Sequence, residues 1–259
     1  MKQALFRLKA YLTYWLTCVD AHSLHSPFFF DFYQQVVAAK SKTIPAQAEH
    51  LRKQLQASSQ QITFFDLGTY KNSNPRTTTL KKIAATSLST SAFSKLYQRA
   101  IQHFKAKEVI ELGTCFGINT LYLAHNPETH VTTFEGVPEI ATIARDTFQF
   151  SGNTNITLIE GDINNTLPTH INACKTIDFA FVDANHRLEP CLAYFEFLLK
   201  KSTQQTVFVF DDIHHSAQME LAWQKIKEHP LVYGTADLYR CGFVFLDQSL
   251  NRQHWRLTV

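Results

Sequence analysis

From about Glu108 onward the chain alternates short β-branched or aromatic runs with longer stretches whose apolar residues recur every three or four positions. The runs are Val109–Leu112, Val131–Glu135, Ile156–Ile159, Ile177–Val182 and Thr206–Phe210. The helical stretches between them are Ile118–His125, Pro138–Phe150, Asn164–Asn172 and Leu188–Lys200. Strands that alternate with helices in this way imply βαβ units and a parallel sheet covered on both faces. A helix near Ser216–Glu228 follows, then strands near Leu231–Thr235 and Gly242–Asp247, close enough to pair antiparallel at a sheet edge. The expected fold class is α/β: a doubly wound, mostly parallel sheet of seven strands spanning residues 105–259.

The first 104 residues have a different rhythm and read as a mainly helical extension. In the helix expected over Gln3–Val19, the spacing of Leu5, Leu8, Leu12, Trp15 and Val19 forms one stripe, which predicts packing on the body of the protein. Ala21–Tyr33 crowds four phenylalanines around Pro27, which stops a helix or starts one. A polar helix over Ala46–Ala57, a strand-like Ile62–Gly68 and a helix pair within Leu80–Phe104 follow. The Asn, Ser and Pro content of Thr69–Thr79 marks a turn or mobile loop. Such an extension is too small and too helical to carry an independent activity, so it is expected to pack against the sheet and cover its active edge.

With 45% apolar and 13% aromatic residues among 259, the chain is not disordered. Its net charge of +3, without a dense basic run, gives no reason to expect a nucleic-acid partner. No stretch reaches the ~18 apolar residues of a membrane span, and Arg7 and Lys9 break the apolar N-terminal segment as a secretory signal would not. Five cysteines, odd in number and never in a C-x-x-C pair, argue for free thiols in a reducing compartment, so a cytoplasmic protein is expected.

Only eight residues are glycine, where average usage of about 7% would supply roughly 18. Two of them, Gly113 and Gly117, close the turn after the first strand in Val109-Ile-Glu-Leu-Gly-Thr-Cys-Phe-Gly117. Ligands of open parallel sheets bind at the carboxyl ends of the strands, where a glycine turn admits a cofactor close to the backbone. The second strand ends in Glu135-Gly136, about 20 residues beyond that turn, where an acid can bind both hydroxyls of a ribose. Gly161-Asp162-Ile163 follows the third strand at the same edge. The order predicts an adenosine-like ligand, while the absence of G-x-G-x-x-G argues against a dinucleotide. Gly68, in a separate D-L-G-T turn, lacks such partners.

From Glu108 to the C-terminus the sequence resembles the class I S-adenosylmethionine-dependent methyltransferases. The resemblance rests on E-L-G-T-C-F-G at Glu111–Gly117, on Glu135, on Gly161-Asp162 and on the two closing strands. It implies the Rossmann-like methyltransferase fold with its last strand antiparallel. It also implies S-adenosyl-L-methionine as cofactor, with Glu111 and Gly113 at the methionine end, Thr114 and Gly117 in the same turn, Glu135 and Gly136 at the ribose, and Asp162 and Ile163 bordering the adenine. E-L-G-T-x-x-G is common in the O-methyltransferase branch of that family.

A narrower resemblance rests on Phe181-Val-Asp-Ala-Asn-His186 and Phe210-Asp-Asp-Ile213. In metal-dependent O-methyltransferases of the catechol and caffeoyl-CoA type, the corresponding strand ends hold Mg²⁺ and a lysine acts as general base. The matching positions here are Asp183, Asp211 and Asp212, with His186 in the lysine's place. Three carboxylates form a hard oxygen site, a hydroxyl bound to its ion loses a proton readily, and an imidazole can accept that proton. A metal-free reading stands beside it, in which Asp183 touches the cofactor's amino group or the substrate. His214 and His215 either add ligands or simply open a helix. The segment from Asp211 through Met219 and Trp223, with His25-Ser26-Pro27-Phe28, also resembles uncharacterised bacterial methyltransferases carrying an H-S-P-F motif. The motif reads as a tight aromatic corner against the sheet, or alternatively as a cover over the substrate.

The function expected is methylation of an oxygen on a small-molecule acceptor, by a chain whose default assembly is a homodimer. The alternatives are a non-catalytic or NAD-type nucleotide-binding protein of Rossmann-like fold, and a methyltransferase acting on a macromolecule.

Overall fold

The computed structural model describes residues 2–41, 43–65 and 74–259. The D-L-G-T turn with Gly68 lies outside them. The chain is α/β and divides into two compact units, residues 40–173 and residues 1–39 with 174–259.

The N-terminal stretch contributes helices α1 (Lys2–Thr17) and α2 (Pro27–Phe32). The expected stripe on α1 is not the face that packs. Leu5, Leu8, Leu12 and Trp15 are 47–68% exposed, whereas Ala10 and Tyr14 are buried. Phe6, Ala10, Tyr14 and Cys18 recur every four residues along the docking face. Ala10 brings the backbone close, and Tyr14 donates its hydroxyl to the Leu257 carbonyl at 2.5 Å. Periodicity located one apolar stripe on this helix; the buried face is another, centred on a hydrogen-bonded tyrosine. Val19, the last residue of the expected stripe, does engage, through backbone bonds with Arg256 and Thr258.

Pro27 opens α2, as its fixed φ and missing N–H allow at a first turn. Phe28, Phe29 and Phe32 meet Phe243 and Phe245 edge-on, with ring centroids 4.9–5.6 Å apart. The H-S-P-F segment therefore builds the aromatic corner against the sheet.

Residues 40–173 carry α3 (Ala46–Ala57), β1 (Gln61–Phe64), β2 (Arg76–Thr79), α4 (Leu80–Ser87), α5 (Ser91–Phe104), β3 (Glu108–Leu112), α6 (Ile118–Leu123), β4 (His130–Glu135), α7 (Pro138–Ser151), β5 (Ile156–Glu160) and α8 (Ile163–Ala173). β3, β4 and β5 run parallel in that order. β1 and β2 form a separate antiparallel pair, with Thr63 and Thr77 joined through their hydroxyls at 2.8 Å. β2 corrects the loop expected there, because its threonines suit a strand despite the polar turn before them. Ala48, Leu55, Phe64, Leu80 and Ile83 share one core with Phe116, Leu121, Tyr122, Ile140 and Phe148. Arg52, 6% exposed, is held within this core by Glu49 at 3.0 Å and by the Ser89 carbonyl, and Glu49 also accepts from Tyr122.

The remaining stretch carries β6 (Ile177–Val182), α9 (Leu188–Leu199), β7 (Ser202–Asp211), α10 (Ala217–Lys227), β8 (Gly234–Asp237), β9 (Cys241–Phe245) and β10 (Gln253–Arg256). β6 and β7 are parallel, and β9 runs antiparallel to both β7 and β8. The expected reversed strand is thus β9. It is not the chain's last, because β10 pairs parallel to β8 and replaces it at the outer position. The strand at 253–256, Gln-His-Trp-Arg, has one apolar residue in four and shows no strand pattern. The five cysteines are free thiols, and burial pushes Cys191 up to about 12. Among the described residues no helix is long and apolar enough to cross a membrane.

Candidate active site

The residues expected to bind a cofactor all lie in residues 40–173, apart from Asp183. The β3–α6 turn is built from positive-φ residues: Gly113 at 99°, Cys115 at 50° and Gly117 at 77°. A non-glycine residue at positive φ is uncommon and marks a backbone held by its surroundings. What holds Cys115 is Glu135, at the end of β4: Oε2 accepts the Cys115 N–H at 2.9 Å, while Oε1 accepts that of Val137 at 2.9 Å. Backbone bonds join the same strand ends, since Gly113 and Thr114 donate to the Phe134 carbonyl and Gly161 donates to that of Glu135. The turn, Glu135 with the adjoining Gly136, and Gly161 are therefore brought together at one edge.

Glu111 is fully buried beneath this turn. It accepts from Asn119 at 3.0 Å, from Thr120 at 2.5 Å and from Thr133 at 2.7 Å. Thr133 gives its single hydroxyl proton to Glu111, so the 2.6 Å contact with Thr114 is a bond donated by Thr114. Burial pushes the Glu111 carboxyl up to about 7, with the three hydrogen bonds pulling the other way. The network locks β3, β4, the turn and α6 together.

Two glycines have structural reasons of their own. A Cβ on Gly117, which caps α6 in the left-handed region, would lie 2.5 Å from the Phe148 ring. Gly161 has φ 127°, conformational space open to glycine. Asp162 Oδ1 accepts the Asn164 N–H at 2.9 Å and its carbonyl receives Thr166, so it starts α8, with Ile163 buried as the first helical residue.

The acidic positions lie in the other unit. Asp183 follows β6, and its Oδ1 is 3.3 Å from His186 Nε2. Asn185 and His186 both have positive φ, at 68° and 32°. Asn185 is fixed by donating to Tyr194 and accepting from Arg187. Burial pushes the His186 imidazole below its ordinary value, against the pull of Asp212 and Asp211.

At the end of β7, Asp211 is 1% exposed and its Oδ2 is 3.3 Å from Arg240 Nη2. Asp212, at φ 54°, has Oδ2 3.4 Å from His215 Nδ1. Burial opposes the Asp212 charge, but the His215 hydrogen bond, His186 and Arg240 outweigh it and hold the carboxyl below its usual range. Arg7 Nε donates to the His215 carbonyl at 3.0 Å, and the His186 and His215 rings stack at 6.0 Å. His214 is buried against Asp237 at 2.9 Å and stacks on Tyr239. The two histidines thus have separate partners, and Ser216 opens α10 by accepting the Met219 N–H.

Sequence reasoning missed Arg240, Arg7 and Asp237. The antiparallel register that sets Asp211 opposite Cys241 brings Arg240 beside the acids, and a search for the residue preceding the reversed strand would have found it. Among the described residues, no three His, Cys, Asp or Glu side chains stand close enough to hold a metal ion. The donor set does not fit Mg²⁺, because the Arg240 guanidinium stands 3.3 Å from Asp211 and one oxygen each of Asp183 and Asp212 faces a histidine.

Residues 110–213 match a family model described as a methyltransferase domain. The catechol O-methyltransferase of Mycobacterium tuberculosis is 31% identical over 112 residues, 42% of this chain and 49% of that protein. The match therefore spans about half the length of that relative. An O-methyltransferase from Bacillus cereus, solved in complex with SAH, superposes with TM-score 0.58 at 20% identity over 83% of this chain and 94% of its own. An SAH-bound methyltransferase of Podospora anserina gives 0.62 at 15% identity over 80% and 90%. Both structural likenesses are of fold. In its fold, and over residues 110–213 in its sequence, the chain is similar to the class I S-adenosylmethionine-dependent methyltransferases of the O-methyltransferase-like branch.

Proposed function

We propose that the chain binds S-adenosylmethionine and transfers its methyl group to an oxygen of a small-molecule acceptor. The observation that carries this reading is the bond from the Cys115 N–H to Glu135, which joins a strained glycine turn to a strand-end carboxylate. Two carboxylate oxygens at that position suit the vicinal hydroxyls of a ribose. Glu111, through Thr133, Thr120 and Asn119, keeps the turn in shape for the methionine end. Asp162 and Ile163 border the adenine.

When bound, the cofactor supplies an electrophilic methyl on a sulfonium sulfur. The chain's part is to hold the acceptor oxygen in line with that methyl and to take the hydroxyl proton. His186 takes it: its lowered pKa keeps the imidazole neutral at pH 7, Nε2 faces Asp183, and Nδ1 receives the proton. Asp183 orients the ring and stabilises the imidazolium that forms. Residues 1–104 act as an extension that selects the acceptor.

Calorimetry with S-adenosylhomocysteine and, separately, with NAD tests the reading. Binding of the former alone is expected, and binding of NAD alone overturns it. A screen of catechols and hydroxy acids, read by S-adenosylhomocysteine release, then identifies the acceptor class; methylation confined to amines or thiols would refute the oxygen assignment.

A further inference from the structure

We propose that the guanidinium of Arg240 takes, in this chain, the place of the divalent cation that metal-dependent O-methyltransferases hold at the corresponding acids. Asp183, Asp211 and Asp212 then form a closed, metal-independent cluster. The inference deepens the proposed methyl-transfer reading and rests on it for the meaning of the cluster.

The local fold delivers Arg240 to this position. β9 begins at Cys241, opposite Asp211 in the antiparallel register, so the residue before it falls beside Asp212. The turn is pinned there: the Ile213 N–H donates to the Arg240 carbonyl at 3.3 Å, the Arg240 N–H donates to Leu238, and Tyr239 takes φ 64°. From this anchored backbone Nη2 stands 3.3 Å from Asp211 Oδ2.

Asp211 is 1% exposed, and a carboxylate buried so deeply must be paired to remain charged. Arginine is a fitting partner because it does not lose its proton in a protein. Mg²⁺ instead demands an octahedral shell of oxygens at about 2.0–2.1 Å. To enter, it would have to displace the guanidinium from Asp211 or sit beside a fixed positive charge. The other two acids are also committed, Asp212 to His215 at 3.4 Å and Asp183 to His186 at 3.3 Å. Arg240 is therefore a positioning residue. It keeps Asp211 in place and leaves proton removal to side chains.

Manganese binding to the full chain tests the assignment by a readout other than methyl transfer. Titrated into the wild-type protein, Mn²⁺ is expected to keep its full free-ion EPR signal. R240Q, which removes the charge but keeps a polar side chain, is expected to take up Mn²⁺, and D211N added to it to abolish that uptake. R240K, which retains a cation, is expected to behave like wild type. Stoichiometric Mn²⁺ uptake by wild type that D211N removes would overturn the proposal, whether or not the Arg240 variants fold. So would an R240Q protein that is folded by circular dichroism and still takes none. Calorimetry with S-adenosylhomocysteine on the same wild-type sample separates the two readings: absent binding sinks the methyltransferase function and leaves the ion result standing.

Discussion

Glu135 accepts the backbone N–H of Cys115 with one carboxylate oxygen and that of Val137 with the other, both at 2.9 Å. One side chain thus fixes the turn after β3 and the start of α7. E135A should weaken S-adenosylhomocysteine binding by at least about tenfold, as expected when a charged hydrogen-bonding partner worth roughly 1.5–3 kcal/mol is lost. It should also lower stability by about 1–3 kcal/mol, because two partly buried N–H groups lose their acceptor. Calorimetry and urea unfolding measure the two effects separately, and an unchanged affinity would remove Glu135 from the ribose site.

Glu111 makes stability depend on pH in the direction opposite to a salt-bridged acid. Its folded-state pKa is raised to about 7 from 4.5, so between those values the native state holds the proton more often than the unfolded chain does. Stability from this group is therefore greatest below the unfolded value and declines as pH rises toward the folded one, by up to about 1.4 kcal/mol per pH unit. E111Q cannot titrate. The difference in unfolding free energy between wild type and E111Q should fall across pH 4.5–7 and level off above. A flat difference would contradict the buried, protonatable carboxyl.

Gly117 should resist replacement for a reason independent of any ligand. Alanine there meets the left-handed backbone at φ 77° and places its Cβ 2.5 Å from Phe148. The two penalties together should cost about 2–4 kcal/mol. In an F148A background, which costs roughly 3–5 kcal/mol itself, the added cost of G117A should shrink by about 1–2 kcal/mol as the clash disappears. Strict additivity in a double-mutant cycle would refute the packing account.

The strand and helix alternation after Glu108 was legible because a parallel sheet buried on both faces leaves continuous apolar runs such as Phe179–Val182, all buried here. The glycine turn and Glu135 were legible because their spacing follows the chain's order along the sheet. Arg240 was not, since its place depends on which strand reverses and in which register. The partners of Asp211 and Asp212 were hidden for the same reason: strand-end acids read as metal ligands until the residues packed beside them are known. α1 failed differently. Leu5, Leu8, Leu12 and Trp15 form the larger apolar stripe, yet Ala10 and Tyr14 supply the contact, through close approach and a buried hydroxyl.

That assignment of faces on α1 has a measurable consequence. Y14F removes the hydroxyl that donates to the Leu257 carbonyl and should cost about 1–2 kcal/mol, because a buried carbonyl loses its donor. L8S and L12S alter residues 54% and 47% exposed and should stay within about 0.5 kcal/mol of wild type. Urea unfolding of the three variants distinguishes this face from the stripe the periodicity favours, which predicts the reverse ranking.

His186 should set the acidic limb of the reaction. Because burial lowers its pKa below the ordinary 6.5, the imidazole is neutral and competent above that lowered point, so kcat/KM should rise with pH on the acid side and level off earlier than it would for an ordinary imidazole. Asp212 pulls the pKa upward; D212N removes that charge and should move the midpoint to lower pH while the plateau begins earlier. H186Q should lower kcat by about 10²-fold or more and abolish the limb, while S-adenosylhomocysteine affinity stays near wild type, because in this reading the cofactor is held by the β3–α6 turn and Glu135. A limb that survives in H186Q, or moves to higher pH in D212N, would assign proton removal to another group.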